Sequence, residues 1–341
     1  SHLPADVREQ QAARLAQEEN LRRFDLARGP LARLLLLKVA EGNHVLICTM
    51  HHIVGDGQSF EVIIAEMSRL YTSSKLGEPS PLAEPSVQYA DYAAWQRQWL
   101  QGEVLETRLA YWRRQLKDAP QRLSLPQQKA RPRVQTFRGA RRDIRLTADK
   151  TEALRELSRG EGVTLLMTML SGFTLLLNQY TGDEDIVVGS VSANRERAEA
   201  ERLIGILATP LVLRVDLSGA ETFRDVMRRV RDVCLDAYTF QLPPELMKVG
   251  LKSERLFDVW FQLERREREQ LEMEGLRCER YTEGHGDTRF ELSMVLTETD
   301  DEVVGHLEYD DRIFKAQTIE RMLGEYWELL GRMVDDPAQR L

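Results

Sequence analysis

Met50-His51-His52-Ile53-Val54-Gly55-Asp56-Gly57-Gln58-Ser59 decides how the rest of this chain is read. An apolar run from His44 to Met50 enters it with the character of a strand, and Gln58 to Tyr71 leaves it with the spacing of an amphipathic helix. The histidine pair and the Asp-Gly step thus fall on a tight turn between two regular elements. Groups that do chemistry are often mounted on a loop held by such a scaffold.

Upstream of the turn, Asp6 to Arg23 is helical in pattern and Phe24 to Pro30 reads as a turn. Leu31 to Val39 and His44 to Met50 flank Glu41-Gly42-Asn43, the spacing of a hairpin. Downstream, Gly77 to Pro85 is a Pro-rich connection. Tyr89 to Leu116 reads as one long helical stretch carrying Tyr89, Tyr92, Trp95, Trp99, Tyr111 and Trp112. At helical spacing those aromatics suit core packing better than a ligand cage. Pro120, Pro126 and Pro132, with no sustained period, mark 121–138 as a linker. Beyond it, strands are expected over 141–146, 185–191, 209–215, 257–263, 290–297 and 303–309. Helices are expected over 147–159, 164–180, 221–239 and 316–333. This order gives two α/β domains without strict alternation, not a doubly wound sheet. The run Glu264 to Glu274 reads as a solvated charged segment, with docking of another protein as the weaker reading.

The 341 residues leave room for two domains, and 42% hydrophobic with 30% charged residues is an ordinary soluble balance. A net charge of -8 argues against nucleic acid as the main partner, since phosphate binding needs a basic surface. Cys48, Cys234 and Cys278 show no CxxC or zinc spacing and read as reduced thiols of a cytoplasmic protein. The longest apolar block, 165–177, is interrupted by Thr168, Ser171 and Thr174 and suits a buried helix. It falls short of the roughly 20 residues a bilayer span needs, so no membrane partner is expected. The N-terminus is not a signal-peptide pattern.

Adjacent side chains on an extended segment diverge, so His51 and His52 cannot share a metal, and no cluster supplies the remaining ligands. A serine-hydrolase elbow, a P-loop and a dinucleotide fingerprint are all missing from the sequence.

Further blocks accompany the motif in order. They are Phe24 to Leu31, Gln88 to Arg97, Tyr111 to Leu116, Val134 to Gly139, Tyr180-Thr181-Gly182, Val187 to Arg195, Ile204-Gly205, Leu256 to Leu263 and Arg289 to Leu292. With HHxxxDG they make the chain resemble the condensation domains of nonribosomal peptide synthetases, relatives of chloramphenicol acetyltransferase. The resemblance implies an α/β fold of the α+β sandwich type. It implies two acetyltransferase-like lobes in a V-shaped pseudodimer with a tunnel between them. Residues 1–120 would form the first lobe, 121–138 the linker and 139–341 the second lobe. The family starts with a stretch that this sequence lacks, so the first lobe is expected to be incomplete and to expose an apolar face. Ile206-Leu207-Ala208-Thr209-Pro210 and Ala237 to Glu245 depart from the family pattern and leave the donor type open, peptidyl, polyketide or fatty acyl.

The implied reaction is attack of a carrier-bound aminoacyl amine on a carrier-bound acyl or peptidyl thioester. His52 is the implied catalytic group, as a general base or as the group that orients the amine. His51 is structural by the same resemblance. Asp56 either orients the imidazole, as the acid of a triad does, or holds the loop through Arg195. The plain alternative for Arg195 is an exposed side chain paired with Glu196 or Glu199. Gly57 serves the turn, at positive φ or at a close approach of substrate, or turns its N–H toward an oxyanion. The domain is expected to bind no cofactor or metal of its own. The 4'-phosphopantetheine arms arrive on upstream and downstream carrier domains, beside neighbouring synthetase domains. Other readings are an ester-forming acyltransferase and a non-catalytic recruitment module, though the latter usually has a damaged motif. A cyclisation domain would carry DxxxxD instead. Glu283-Gly284-His285-Gly286 imitates an epimerisation motif but lies in the wrong place along the chain.

Overall fold

The computed structural model describes residues 4–120, 122–125, 139–241, 256–265, 273–279 and 288–341. In chain order the elements are α1 (Ala5–Leu21), β1 (Ala32–Ala40), β2 (Asn43–Met50), α2 (Gly57–Leu76), α3 (Tyr89–Trp99), α4 (Gly102–Gln115), β3 (Ala140–Leu146), α5 (Ala148–Glu161) and α6 (Leu165–Thr181). Then come β4 (Asp185–Ser192), α7 (Ala198–Glu201), β5 (Thr209–Asp216), α8 (Phe223–Phe240), β6 (Val259–Arg265), β7 (Leu292–Glu298), β8 (Val303–Tyr309) and α9 (Ala316–Asp335). They fall into two compact units, one built from 1–98, 193–208 and 269–284, the other from 99–192, 209–268 and 285–341.

In the first unit β1 and β2 form the expected hairpin, antiparallel with Leu35 opposite Ile47 and Leu36 opposite Leu46. Side chains alternate across a strand. Leu35, Leu37, Val45 and Ile47 are half-buried, while Leu34, Leu36 and Leu46 stay exposed at 66%, 65% and 42%. The hairpin therefore shows an apolar face. Helix α2 begins at the Asp56 cap and stops where Gly77 turns left-handed at φ 71°.

The second unit carries a mixed six-stranded sheet in the order β3-β8-β7-β6-β4-β5. Pairings β6–β7 and β4–β6 are parallel and the rest antiparallel. Val259, Phe261, Met294, Leu296 and Leu307 are buried in one core with α5, α6, α8 and α9. Trp260, Gln262, Val295, His306 and Glu308 alternate with them and are half-buried. Of the three hydroxyls that interrupt the apolar block of α6, Thr168 Oγ1 lies 2.7 Å from Ser158 Oγ in α5, and the other two are satisfied inside the helix. Ser171 Oγ donates to Met167 O at 2.7 Å, and Thr174 Oγ1 donates to Ser171 O at 2.9 Å. Burial pushes the Cys234 thiol in α8 up to about 12. No single helix among the described residues is long and apolar enough to cross a membrane.

Three expectations are corrected. The long helix over 89–116 is broken into α3 and α4, because Gln101 is extended and Gly102 sits at φ 55°. The units do not divide at 120 and 139. Helix α4 belongs to the second unit, where Trp112 is fully buried and Tyr111 stacks on Phe240 at 4.3 Å, while 193–208 returns to the first. The described part of the expected linker is core, since Leu123 and Leu125 are buried. The remainder, 121 and 126–138, lies outside the described residues, as do 266–272 of the charged run and Glu283-Gly284-His285-Gly286.

The β7–β8 pairing generates a test. A Cβ on Gly305 would lie 2.2 Å from the backbone oxygen of Val295, an atom held in the sheet, whereas one on Gly324 in α9 meets nothing within 4 Å. Gly305→Ala should destabilise by about 1–3 kcal/mol or more. Gly324→Ala should stabilise by about 0.5–1 kcal/mol, the helical cost of glycine. Urea denaturation of both variants checks the pair, and a neutral Gly305→Ala would contradict this register.

Candidate active site

The site is built on the step from β2 to α2. Asp56 is the N-cap of α2: Oδ1 accepts the Ser59 N–H at 2.9 Å, and the Asp56 N–H returns a bond to Ser59 Oγ at 3.2 Å. This reciprocal box satisfies amides that a helix start leaves orphaned. An aspartate here also faces the positive end of the helix dipole.

Asp56 carries more than a cap. Oδ1 also accepts from Ser59 Oγ at 2.8 Å and from Arg195 Nη2 at 2.9 Å, and Oδ2 accepts the N–H groups of Leu207 at 3.0 Å and Ala208 at 3.1 Å. The Asp56 and Arg195 side chains are only 3% and 6% exposed. A buried charge is tolerable when it is paired and hydrogen-bonded. Burial works against the Asp56 charge, but the Ser59 hydroxyl and N–H, the Leu207 N–H and the Arg195 cation outweigh it. The carboxyl is held below its usual range. Arg195 also donates through Nη1 to the carbonyls of Ala200 at 2.9 Å and Leu203 at 2.7 Å. The expected Asp56–Arg195 pair is therefore present, and the exposed alternative for Arg195 is not what forms. Because 193–208 belongs to the same unit as 1–98, the pair closes that unit on itself.

The 203–208 segment is seated by α3. Tyr89 Oη donates to Ile206 O at 3.0 Å, and its ring lies where a Cβ on Gly205 would be, 2.1 Å from Cδ2. Glycine at 205 is required by that close approach. Burial, then the Asp56 charge, push the Tyr89 phenol up, so it remains a donor. Tyr92 Oη accepts from Asn194 Nδ2 at 3.0 Å, and the Arg197 guanidinium covers the Trp95 ring at 4.4 Å. Half of the aromatic set thus packs against 193–208.

The two histidines diverge. His51 Nδ1 accepts the Ile53 N–H at 3.1 Å, its own N–H donates to Leu31 O at 2.9 Å, and its ring stands edge-on to Phe24 at 5.7 Å. Phe24 also meets Arg33, 3.8 Å from its centroid, which in turn pairs with Glu19. His51 is held as part of this framework. His52 is exposed, and its Nδ1 lies 2.8 Å from Gly55 O. A carbonyl only accepts, so Nδ1 carries the hydrogen of the neutral ring and Nε2 keeps the lone pair. Asp56 makes none of its bonds to His52, so the triad-like alternative does not form. Gly57 is the first residue of α2 and is not among the glycines at positive φ. The expected left-handed turn residue is not there.

Ser59 and Gly205 belong to the site and were not singled out from sequence as site residues. Ser59 had a legible signal, an Asp followed three positions on by a serine at a helix start. The role of Gly205 depends on Tyr89, 116 positions away in sequence, and has no local signal.

A family model for the condensation domain matches residues 1–341, and the chain belongs to that family. One of the linear gramicidin synthase proteins of Brevibacillus parabrevis is 42% identical over 97% of this chain, which spans only 4% of that synthetase. Among solved structures, the X-domain in complex with OxyB from teicoplanin biosynthesis superimposes with a TM-score of 0.85 at 27% identity, over 97% of this chain and 76% of that one. The first condensation domain of the CDA synthetase shares the fold at a TM-score of 0.79 and 21% identity, over 97% of this chain and 74% of that one.

The buried pair yields a stability prediction. Arg195→Ala strands the Asp56 carboxylate and should cost about 3–5 kcal/mol in urea denaturation. Asp56 titrates lower folded than unfolded. Its ionised form therefore stabilises the fold above about pH 4 and loses that effect as pH falls through the lower folded value. The stability gap between the protein and Asp56→Asn should accordingly narrow below about pH 4. Parallel pH curves would contradict the assignment.

Proposed function

We propose that this condensation domain forms an amide bond between a carrier-bound acyl or peptidyl thioester and the amine of a carrier-bound aminoacyl thioester. The observation that carries the reading is the state of His52, an exposed imidazole with Nδ1 committed to Gly55 O and the Nε2 lone pair free. The neutral acceptor amine attacks the thioester carbonyl, and the tetrahedral intermediate bears an oxyanion. As the new C–N bond forms, one proton passes from nitrogen to Nε2. Collapse breaks the C–S bond, and the carrier thiol departs with that proton. Base catalysis of this kind contributes on the order of 10²–10⁴-fold. Holding both thioesters at one place contributes the rest.

Asp56 and Arg195 act by fixing the loop that carries His52, and His51 fixes the strand end beneath it. The substrates arrive on 4'-phosphopantetheine arms of upstream and downstream carrier domains, within a multidomain synthetase. That reading is supported by the small share of the gramicidin synthase that this chain spans. The likeness to the X-domain, solved in complex with OxyB, favours a second reading, recruitment of a partner protein. The intact histidine pair and its capped loop support catalysis over recruitment.

With both carriers loaded, His52→Ala should lower product formation by about 10²-fold or more. Its thermal midpoint should hardly move, because the ring is exposed and its bond is to one carbonyl. Product mass spectrometry and a thermal melt check this, and undiminished turnover would remove the base role from His52. An ester formed faster than an amide, with a hydroxyacyl acceptor, would reassign the acceptor.

A further inference from the structure

The Gly55–Asp56 peptide group is held from both ends. Its carbonyl lies 2.8 Å from His52 Nδ1, and its N–H donates to Ser59 Oγ at 3.2 Å. The two ends belong to one planar unit, so an amide that turns away from Ser59 takes the carbonyl away from His52. The flank of that unit is packed as well. A Cβ on Gly55 would lie 2.3 Å from Met50 Cε and 3.2 Å from Ser59 Cβ.

Ser59 is itself immobile. It is fully buried, and its Oγ lies 2.8 Å from Asp56 Oδ1, 2.9 Å from Gly205 O, 3.1 Å from Gly205 N and 3.3 Å from Arg195 Nη2. The hydroxyl has one proton, and the carboxylate is the stronger of the two acceptors. With the Ser59 O–H donated to Asp56 Oδ1, the oxygen lone pairs face the amides of Asp56 and Gly205. The Gly205 carbonyl is met by Arg195 Nη2 at 3.4 Å instead. The hydroxyl therefore stands as a fixed acceptor at the far end of the peptide that His52 binds.

We propose that Ser59 is a positioning residue for His52, which through the Gly55–Asp56 peptide keeps the hydrogen on Nδ1 and the lone pair on Nε2. Which ring nitrogen is protonated is set by the bond the other side of the ring makes, and here that bond depends on the tilt of one peptide. The effect on turnover rests on the base role given to His52 above; the effect on the ring does not. Removing the hydroxyl leaves the helix cap standing, because Asp56 still accepts the backbone N–H of residue 59.

The test labels the histidines with 15N and reads their tautomers by two-bond proton–nitrogen correlation above the imidazole pKa. In the unaltered protein His52 should show a protonated Nδ1 and a bare Nε2. In Ser59→Ala it should show a mixture of tautomers. Then kcat with loaded carriers should fall on the order of tenfold while KM holds within about twofold, as for loss of a transition-state contact. Ser59→Cys fills the same volume with a weak acceptor and serves if the alanine variant does not fold; the same mixture is expected. A His52 that keeps its Nδ1 hydrogen in full in either folded variant overturns the proposal, and so does an Nε2–H tautomer in the unaltered protein. A changed tautomer with unchanged turnover upholds the positioning role and removes the base role from His52.

Discussion

The buried Asp56 carboxylate is the constraint on which the site depends. It accepts five hydrogen bonds, two from Ser59, one each from Arg195, Leu207 and Ala208. A carboxylate out of water without them would be protonated or unfold its surroundings. In satisfying one charge the chain fixes three pieces of backbone: the start of α2, the loop after His52 and the 203–208 segment. A cap alone is worth about 1 kcal/mol. What raises the stakes here is that the capping group is also the partner of a buried guanidinium.

The histidines show how the same turn separates two uses of one side chain. His51 spends its Nδ1, its backbone N–H and its ring face on the framework, through Ile53, Leu31 and Phe24. His52 spends one nitrogen on the carbonyl of Gly55 and presents the other. The divergence follows from the alternation of an extended chain. It gives the two rings different partners and leaves one imidazole exposed.

Much of this arrangement is readable in the sequence, because it is local. The hairpin, the apolar helix 165–181 and the sheet strands are set by periodicity and by caps such as Thr164 and Gly182. The Asp56–Arg195 pair came from resemblance and not from spacing, since 139 positions separate the two residues. What stayed hidden was non-local or conformational. The break at Gly102 depends on its left-handed backbone, and the place of α4 depends on the distant Phe240, on which Tyr111 stacks. Glycine at 205 looks like any turn glycine until the Tyr89 ring is placed over it. The boundary at 120–139 failed because prolines mark irregular backbone, and irregular backbone such as Leu123 to Leu125 can still be core.

The discontinuity of the first unit has a consequence for synthesis of the chain. Asp56 leaves the ribosome 139 residues ahead of Arg195. At about 5–20 residues per second, that is on the order of ten to thirty seconds. During this interval the nascent carboxylate stays hydrated, with only its own helix cap to engage. The loop bearing the imidazole thus acquires its final form only once the polypeptide between Asp56 and Arg195 has been made.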